Sequence, residues 1–230
     1  MASQIERVTQ ALRRCIFSGQ LAPGERLVEL QWAATLQVSR TPLRIALGEL
    51  EKQGLLERLP KRGFRVRAFT MEAISDAIDV RGALEGLAAE RLAEKGVAAE
   101  PLATLQACLT EGRALVEAAR ADGLRLDAAG WIAMNARFHA CLVEAAGNQM
   151  LSDALEMVSK TPMAGAASLG LDGALPVLEF ALIARAQEDH EDIVRALGRR
   201  EGSRAASLMR EHARRSRDNK QAILLRRQNP

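Results

Sequence analysis

The sequence predicts a mainly α-helical protein in two parts. Residues 1–69 read as three short helices and a two-stranded ribbon, and residues 70–218 as an all-helical bundle. Three observations carry this. Ala, Leu, Glu and Arg dominate, aromatic residues make up only 3% and tyrosine is absent, a composition that favours helices over sheets. From residue 70 almost to the end, apolar residues recur at 3–4 spacing between Gly and Asn breaks. The charge also changes sign along the chain. Of the 32 Lys and Arg and 29 Asp and Glu, residues 1–70 hold 12 and 6, a balance of +6, which leaves 20 and 23, or −3, for the rest. A small basic part joined to a mildly acidic body points to a polyanion as partner of the first part only.

At 230 residues the chain can bury one large core or two modest ones. No apolar run approaches a membrane span, and the N-terminus lacks a signal-peptide pattern, so a cytoplasmic protein without membrane contact is expected. Cys15, Cys108 and Cys141 are odd in number and far apart, which indicates neither a CxxC metal site nor a disulfide framework.

In the first part, Ile5, Val8, Leu12 and Ile16 form the buried stripe of a helix that ends near Gly19. LAPGERL turns through Pro23 and Gly24. A second helix spans about 29–36, burying Leu30, Ala33, Ala34 and Leu36, and Gln37–Val38 make a tight turn into a third. There Ser39 is the N-cap and Pro42 sits in the first turn, where its missing N–H costs little. Leu43, Ala46, Leu47 and Leu50 give one buried face, and Gly54 closes the helix. Arg40, Thr41 and Arg44 stand on its exposed side. Two short helices joined by so brief a turn form a helix-turn-helix, whose second helix presents arginines suited to phosphates and base edges in a DNA major groove. LLERLP and GFRVRAF then alternate as the two strands of a wing, with Lys61, Arg62 and Gly63 at a basic tip. The bland alternative, a solvated amphipathic helix with ordinary arginines, does not account for the charge split.

The run GERLVELQWAATLQVSRTPLRIALGELEKQGLLERLPKRGFRV resembles the winged helix of GntR-family bacterial transcription regulators. The resemblance implies that Arg40 and Arg44 meet bases or phosphates, that Thr41 touches the DNA backbone, and that Gly63 lets the wing tip approach closely. Ser39, Arg40, Thr41, Arg44, Arg62 and Gly63 are therefore the candidate DNA-binding residues. Ile45 stands where the family usually has Glu, and Leu30 where some members place Arg, so the operator sequence is not given by the resemblance.

The second part opens with a helix from Met71 to Lys95, its apolar stripe running through Ile74, Ile78, Leu84, Leu87 and Leu92. Further helices are expected at about 100–121, 126–146, 149–160, 177–198 and 202–218. An Ala/Gly-rich segment, 162–176, is long enough to cover a pocket. Residues 219–230, polar and basic at their end, are expected to fray.

All three histidines of the chain, His139, His190 and His212, fall in this part, each in a different predicted helix. Asn135 precedes His139 by four residues and shares its face. His190 and His212 flank a turn framed by Gly198 and Gly202, so an antiparallel helix pair brings them level. Three imidazoles and an oxygen ligand suit a divalent transition metal with open positions: zinc in first place, manganese or nickel as alternatives. Taken singly, each histidine reads more simply as a surface or satisfied core residue.

VRGALEGLAAERLA, NARFHACLVEAAGN, EDHEDIVRAL and MREHARR resemble the helical effector (FCD) domain of the FadR-type branch of the same family. The resemblance implies a metal held by an Asp and three His, which map onto Asn135, His139, His190 and His212. Asn135 departs from the usual Asp; an amide oxygen still coordinates but brings no charge, so metal affinity should fall. It also implies that Arg81 reaches into the metal cavity, where a guanidinium clamps a carboxylate, giving a small organic acid as effector. Without the resemblance, Arg81 reads as a surface residue paired with Glu85.

The expected function is a homodimeric, ligand-responsive transcription regulator, a repressor, on a palindromic double-stranded DNA operator, and not an enzyme. Two rivals stand beside it: a metal-dependent enzyme acting on a small organic acid, and a regulator whose metal site is empty or structural.

Overall fold

The computed structural model of the chain describes residues 4–17, 20–60, 63–68, 70–159, 161, 164–165 and 175–228. Amphipathic spacing in the first part folds into α1 (Gln4–Phe17), α2 (Glu29–Thr35) and α3 (Arg40–Lys52), with strands β1 (Arg26–Leu27), β2 (Leu56–Arg58) and β3 (Phe64–Val66). Val8, Leu12 and Ile16 of α1 and Leu43, Leu47 and Leu50 of α3 are buried in one core with Phe64 and Val66. Gly54 follows α3 at φ +71°, a left-handed conformation that glycine adopts without strain, and Leu55 N–H donates to Leu50 O at 2.9 Å. The chain thereby reverses into β2. β2 and β3 pair antiparallel with Leu56 opposite Val66 and Arg58 opposite Phe64.

Two expectations for this part are corrected. Arg26–Leu27, read as part of a turn, adds a strand to the wing, giving the order β1-β3-β2 with Leu27 opposite Phe64. α2 buries Ala33 but leaves Ala34 exposed and Leu30 71% exposed. A helix of seven residues has only two turns and presents a single line of side chains to α3.

The second part consists of α4 (Met71–Lys95), α5 (Ala99–Ala121), α6 (Ala128–Ala146), α7 (Gln149–Ser159), α8 (Pro176–Gly198) and α9 (Gly202–Gln228). Thr70 caps α4 by accepting from Ala73 N–H at 3.1 Å, and Asp127 caps α6 by accepting from Gly130 N–H at 2.9 Å. Leu92, Leu105, Trp131, Phe138, Leu142, Ile193 and Met209 meet in the bundle core. Burying each side chain of that size contributes about 1.5–3 kcal/mol.

α4 and α9 share the most extensive helix contact. Small residues make it close: a Cβ on Gly82 would lie 2.6 Å from Ala213 Cβ, and one on Gly86 would lie 3.1 Å from Ala206 O. Leu87, expected in the buried stripe of α4, is 38% exposed.

The expected fraying is corrected for residues 219–228, while 229–230 lie outside the described residues. α9 runs through Gln228, and Lys220 and Ile223 are buried. No Gly or Pro interrupts residues 203–228, so nothing stops the helix at 218. Most of the expected covering segment, 162–163 and 166–174, lies outside the described residues; Ala164 is fully buried. Among the described residues no helix is long and apolar enough to cross a membrane.

Candidate nucleic-acid interface and metal centre

Ser39 occupies the N-cap of α3 with extended backbone (φ −70°, ψ 165°), but its side chain makes no capping hydrogen bond. Arg40, Thr41 and Arg44 are all exposed, on the side of α3 opposite Leu43, Leu47 and Leu50. Ile45, 44% exposed, continues this face. One carboxylate serves both arginines: Glu29 Oε2 of α2 lies 3.5 Å from Arg40 Nη2 and 3.9 Å from Arg44 Nε. At such exposure these pairs contribute little stability, but both guanidiniums converge on one carboxylate. In the wing, Gly63 has φ +96°, a conformation that a side chain would strain, and its carbonyl accepts from Leu59 N–H at 3.0 Å. Arg62 lies outside the described residues.

The three histidines, distant in sequence, converge. His139 comes from α6, His190 from α8 and His212 from α9, and their nearest ligand nitrogens all lie within 4.8 Å of one another. The His190 and His212 rings stand 4.8 Å apart by centroid, level across the α8–α9 pair. All three are buried. Phe138 stacks on His190 at 4.0 Å and fixes its plane. Asn135, 3% exposed, lines the same cavity as His139 and His212, as does Arg81.

The donor set fits a metal ion. His190 is fully buried, yet neither of its ring nitrogens has a hydrogen-bond partner, a costly state that ligation relieves. Burial first, then the neighbouring His212 and His139, hold its pKa well below the ordinary histidine value, so it is the neutral, ligating form. Metal–nitrogen bonds of about 2.0–2.1 Å would draw the three rings somewhat closer than they stand. A bound divalent ion would supply an open position for an anionic oxygen.

Around the imidazoles sit carboxylates that sequence reasoning missed. His212 Nδ1 lies 3.3 Å from Asp189 Oδ2, which leaves Nε2 for a metal. Asp189 Oδ1 accepts from Arg215 Nη1 at 2.6 Å. Burial raises the Asp189 pKa, but His212 and Arg215 outweigh it and bring it below the usual range. His139 Nδ1 stands 3.1 Å from Glu85 Oε1, at ion-pair distance but off hydrogen-bond alignment. Glu85 is nearly fully buried; against that burial, His139 and then Arg81 pull its pKa down to about 2.

Arg81 pairs with Glu85 at 3.6 Å, as helical spacing suggested, but both are buried rather than on the surface. Its Nη1 also donates to the Ala164 carbonyl. Lys220 of α9, in the segment expected to fray, completes this wall and lines the cavity. Its pKa lies well below the ordinary lysine value, chiefly through burial and then Arg81, against the pull of Glu85. In sequence, Asp189 and Glu85 were signalled only by being adjacent to His190 and four residues after Arg81.

Comparison with known proteins agrees with both parts. The model of the bacterial regulatory proteins of the gntR family matches residues 4–66, and the model of the FCD domain matches residues 76–215. An HTH-type transcriptional regulator from the TAR-I ttuE-ttuC' intergenic region of Agrobacterium vitis is 36% identical over 147 residues, 63% of this chain and 82% of that protein. The HTH-type transcriptional repressor RspR of Escherichia coli K12 is 27% identical over 207 residues, 90% of this chain and 84% of that protein. The HTH-type regulator YdhC of Bacillus subtilis is 33% identical, and the match spans 63% of its length. Among solved structures, E. coli McbR/YncC superposes with a TM-score of 0.58 at 23% identity over 100% of both chains, a likeness of fold.

Proposed function

Since this chain belongs to the GntR family of bacterial transcription regulators and joins that family's DNA-binding module to an FCD domain, we propose that it is a homodimeric repressor whose operator affinity is set by a small carboxylate bound beside a metal ion. It acts in the cytoplasm on a palindromic operator, each copy laying α3 in a major groove. Arg40 and Arg44 face base edges or phosphates, Ser39 and Thr41 the backbone, and Arg62 and Gly63 of the wing the flanking DNA. In the second domain, Asn135, His139, His190 and His212 hold the ion, zinc in first place, and Arg81 meets the acid's carboxylate. Membership of the FadR-type branch fits this residue set.

The observation that carries the reading is His190: a fully buried imidazole with both nitrogens without hydrogen-bond partners, within 4.8 Å of two others. Arg81 on the wall of the same cavity supports an anionic ligand. The families and relatives matched are regulators, not enzymes, which favours sensing over hydrolysis. Effector and operator affinities are reciprocally coupled in such a design. Fluorescence anisotropy with DNA from the promoter beside the protein's own gene, titrated with organic acids in the presence of zinc, tests it. Release of DNA by an acid, lost in His190→Ala, is expected; operator binding unmoved by every acid and by zinc removal would refute the sensing scheme.

A further inference from the structure

One apolar side chain stands in the middle of a polar face on α3. Leu43, Leu47 and Leu50 of that helix are fully buried, whereas Ile45 is 44% exposed. Spacings of four and three residues set Thr41, Ile45 and Gly48 in one line along the helix, with Arg40 and Arg44 in the line beside it. Thr41, Arg40 and Arg44 are exposed as well. Gly48 is a second irregularity on this face. It lies inside a 13-residue helix, where glycine is weaker than alanine. Yet a Cβ there would meet no atom of the described residues within 4 Å, so packing inside the chain does not call for it. Both features fit a surface that closely approaches base edges. A purely hydrocarbon side chain has one good counterpart on the floor of a major groove, the C5-methyl group of thymine. The groups that distinguish adenine, guanine and cytosine there are donors and acceptors, which lose water against an apolar chain without gaining a partner.

We infer, on the reading of α3 as the groove-reading helix, that Ile45 is a specificity-determining residue. It packs on the methyl group of a thymine in each operator half-site, and Gly48 leaves room for the adjoining base pair. Arg40 and Arg44 bring positive charge to phosphates or guanine edges. Ile45 adds a choice of base that charge alone cannot make. Thymine gains apolar contact at this point, whereas cytosine lacks the methyl and a purine sets a polar edge against it. A side chain at position 48 would hold the helix away from the groove floor.

Selection of duplexes from a random pool by the full-length protein, followed by anisotropy on the enriched duplex, tests this. Each half-site should carry one thymine that Ile45→Ala no longer selects, while the other enriched bases stay the same. Deoxyuridine at that position, which lacks only the methyl, should weaken wild type about fourfold per half-site, the worth of one buried methyl group. Ile45→Val keeps two methyls and should retain that sensitivity, whereas Ile45→Ala should bind both duplexes alike. Gly48→Ala should bind the enriched duplex about tenfold more weakly and melt no lower than wild type. A thymine preference equal in wild type and Ile45→Ala would overturn the role of Ile45 and leave operator recognition standing. So would deoxyuridine bound by wild type as tightly as thymine. Undiminished binding by Gly48→Ala would remove the glycine from the contact. No duplex enriched by wild type would overturn the groove-reading assignment and this inference with it.

Discussion

The His212 imidazole meets the Asp189 carboxylate at 3.3 Å, both side chains being buried where α9 faces α8. A carboxylate behind a ligating imidazole fixes its tautomer and raises its basicity. Asp189→Asn keeps the shape but removes the charge, so zinc affinity should fall about 10- to 100-fold. Competition with a chromophoric chelator measures this, and unchanged affinity would dismiss the role.

Metal-free protein should lose stability in mild acid. His190 and His212 have pKa values below the ordinary 6.5, in both cases chiefly through burial. Unfolded, they take up protons near that value; folded, only at lower pH. The unfolded state binds more protons in between, so their stabilising contribution is complete above about pH 6.5 and is lost as pH falls below it. Melting after chelation should therefore show a falling midpoint from about pH 6.5 to pH 5. His190→Leu should flatten that decline, and a midpoint that rises on acidification would contradict it.

Glu29 pairs with both Arg40 and Arg44, at 3.5 and 3.9 Å. Arg40→Ala with Arg44→Ala should abolish specific operator binding, each base contact being worth about 1–3 kcal/mol. Glu29→Gln should act oppositely, strengthening binding to any duplex and steepening its salt dependence by about one ion released. Anisotropy titrations at several salt concentrations read both effects. A Glu29→Gln protein with weaker DNA binding would show that the carboxylate aligns the arginines for reading.

Lys220 should cost the free protein stability. Burial is the chief cause that holds the Lys220 pKa well below the ordinary lysine value, and in Lys220→Met an apolar chain fills the space. The ligand-free variant should gain about 1 kcal/mol, or about 2–4 °C in melting midpoint. A lower midpoint would mean that the ammonium stabilises the fold.

The sequence disclosed what repeats and what punctuates. The 3–4 spacing of Leu43, Ala46, Leu47 and Leu50, with Ser39 before and Gly54 after, marked α3 as the structure has it. The three histidines stood out by rarity, and the meeting of His190 with His212 followed from the α8–α9 turn. What stayed hidden depends on partners from other helices. Asp189 reads as one more charge in a polar run until Arg215 and His212 of α9 are set against it. Leu30 matches a helical stripe, yet two turns of α2 give it nothing to pack on. Lys220 was obscured by the polar, basic composition of its segment, although the absence of a helix stop and the nearby Ile223 were signs of a continuing, buried helix.

The glycine seam between α4 and α9 has its own test. Gly82→Ala sets a methyl 2.6 Å from Ala213 Cβ and should cost about 1–3 kcal/mol, part of it recovered by Ala213→Gly in the double variant. A full-strength single variant would mean that the helices part readily.

That seam also decides which pieces can move. Backbones fitted together at Gly82 and Gly86 cannot slide past each other without collision, so α4 and α9 behave as one plate. The histidines are divided accordingly: His212 is mounted on the plate, while His139 and His190 ride on α6 and α8, which lean against it. An ion held by all three would be a bolt through three separate parts, and drawing it would loosen two helices while leaving the plate intact.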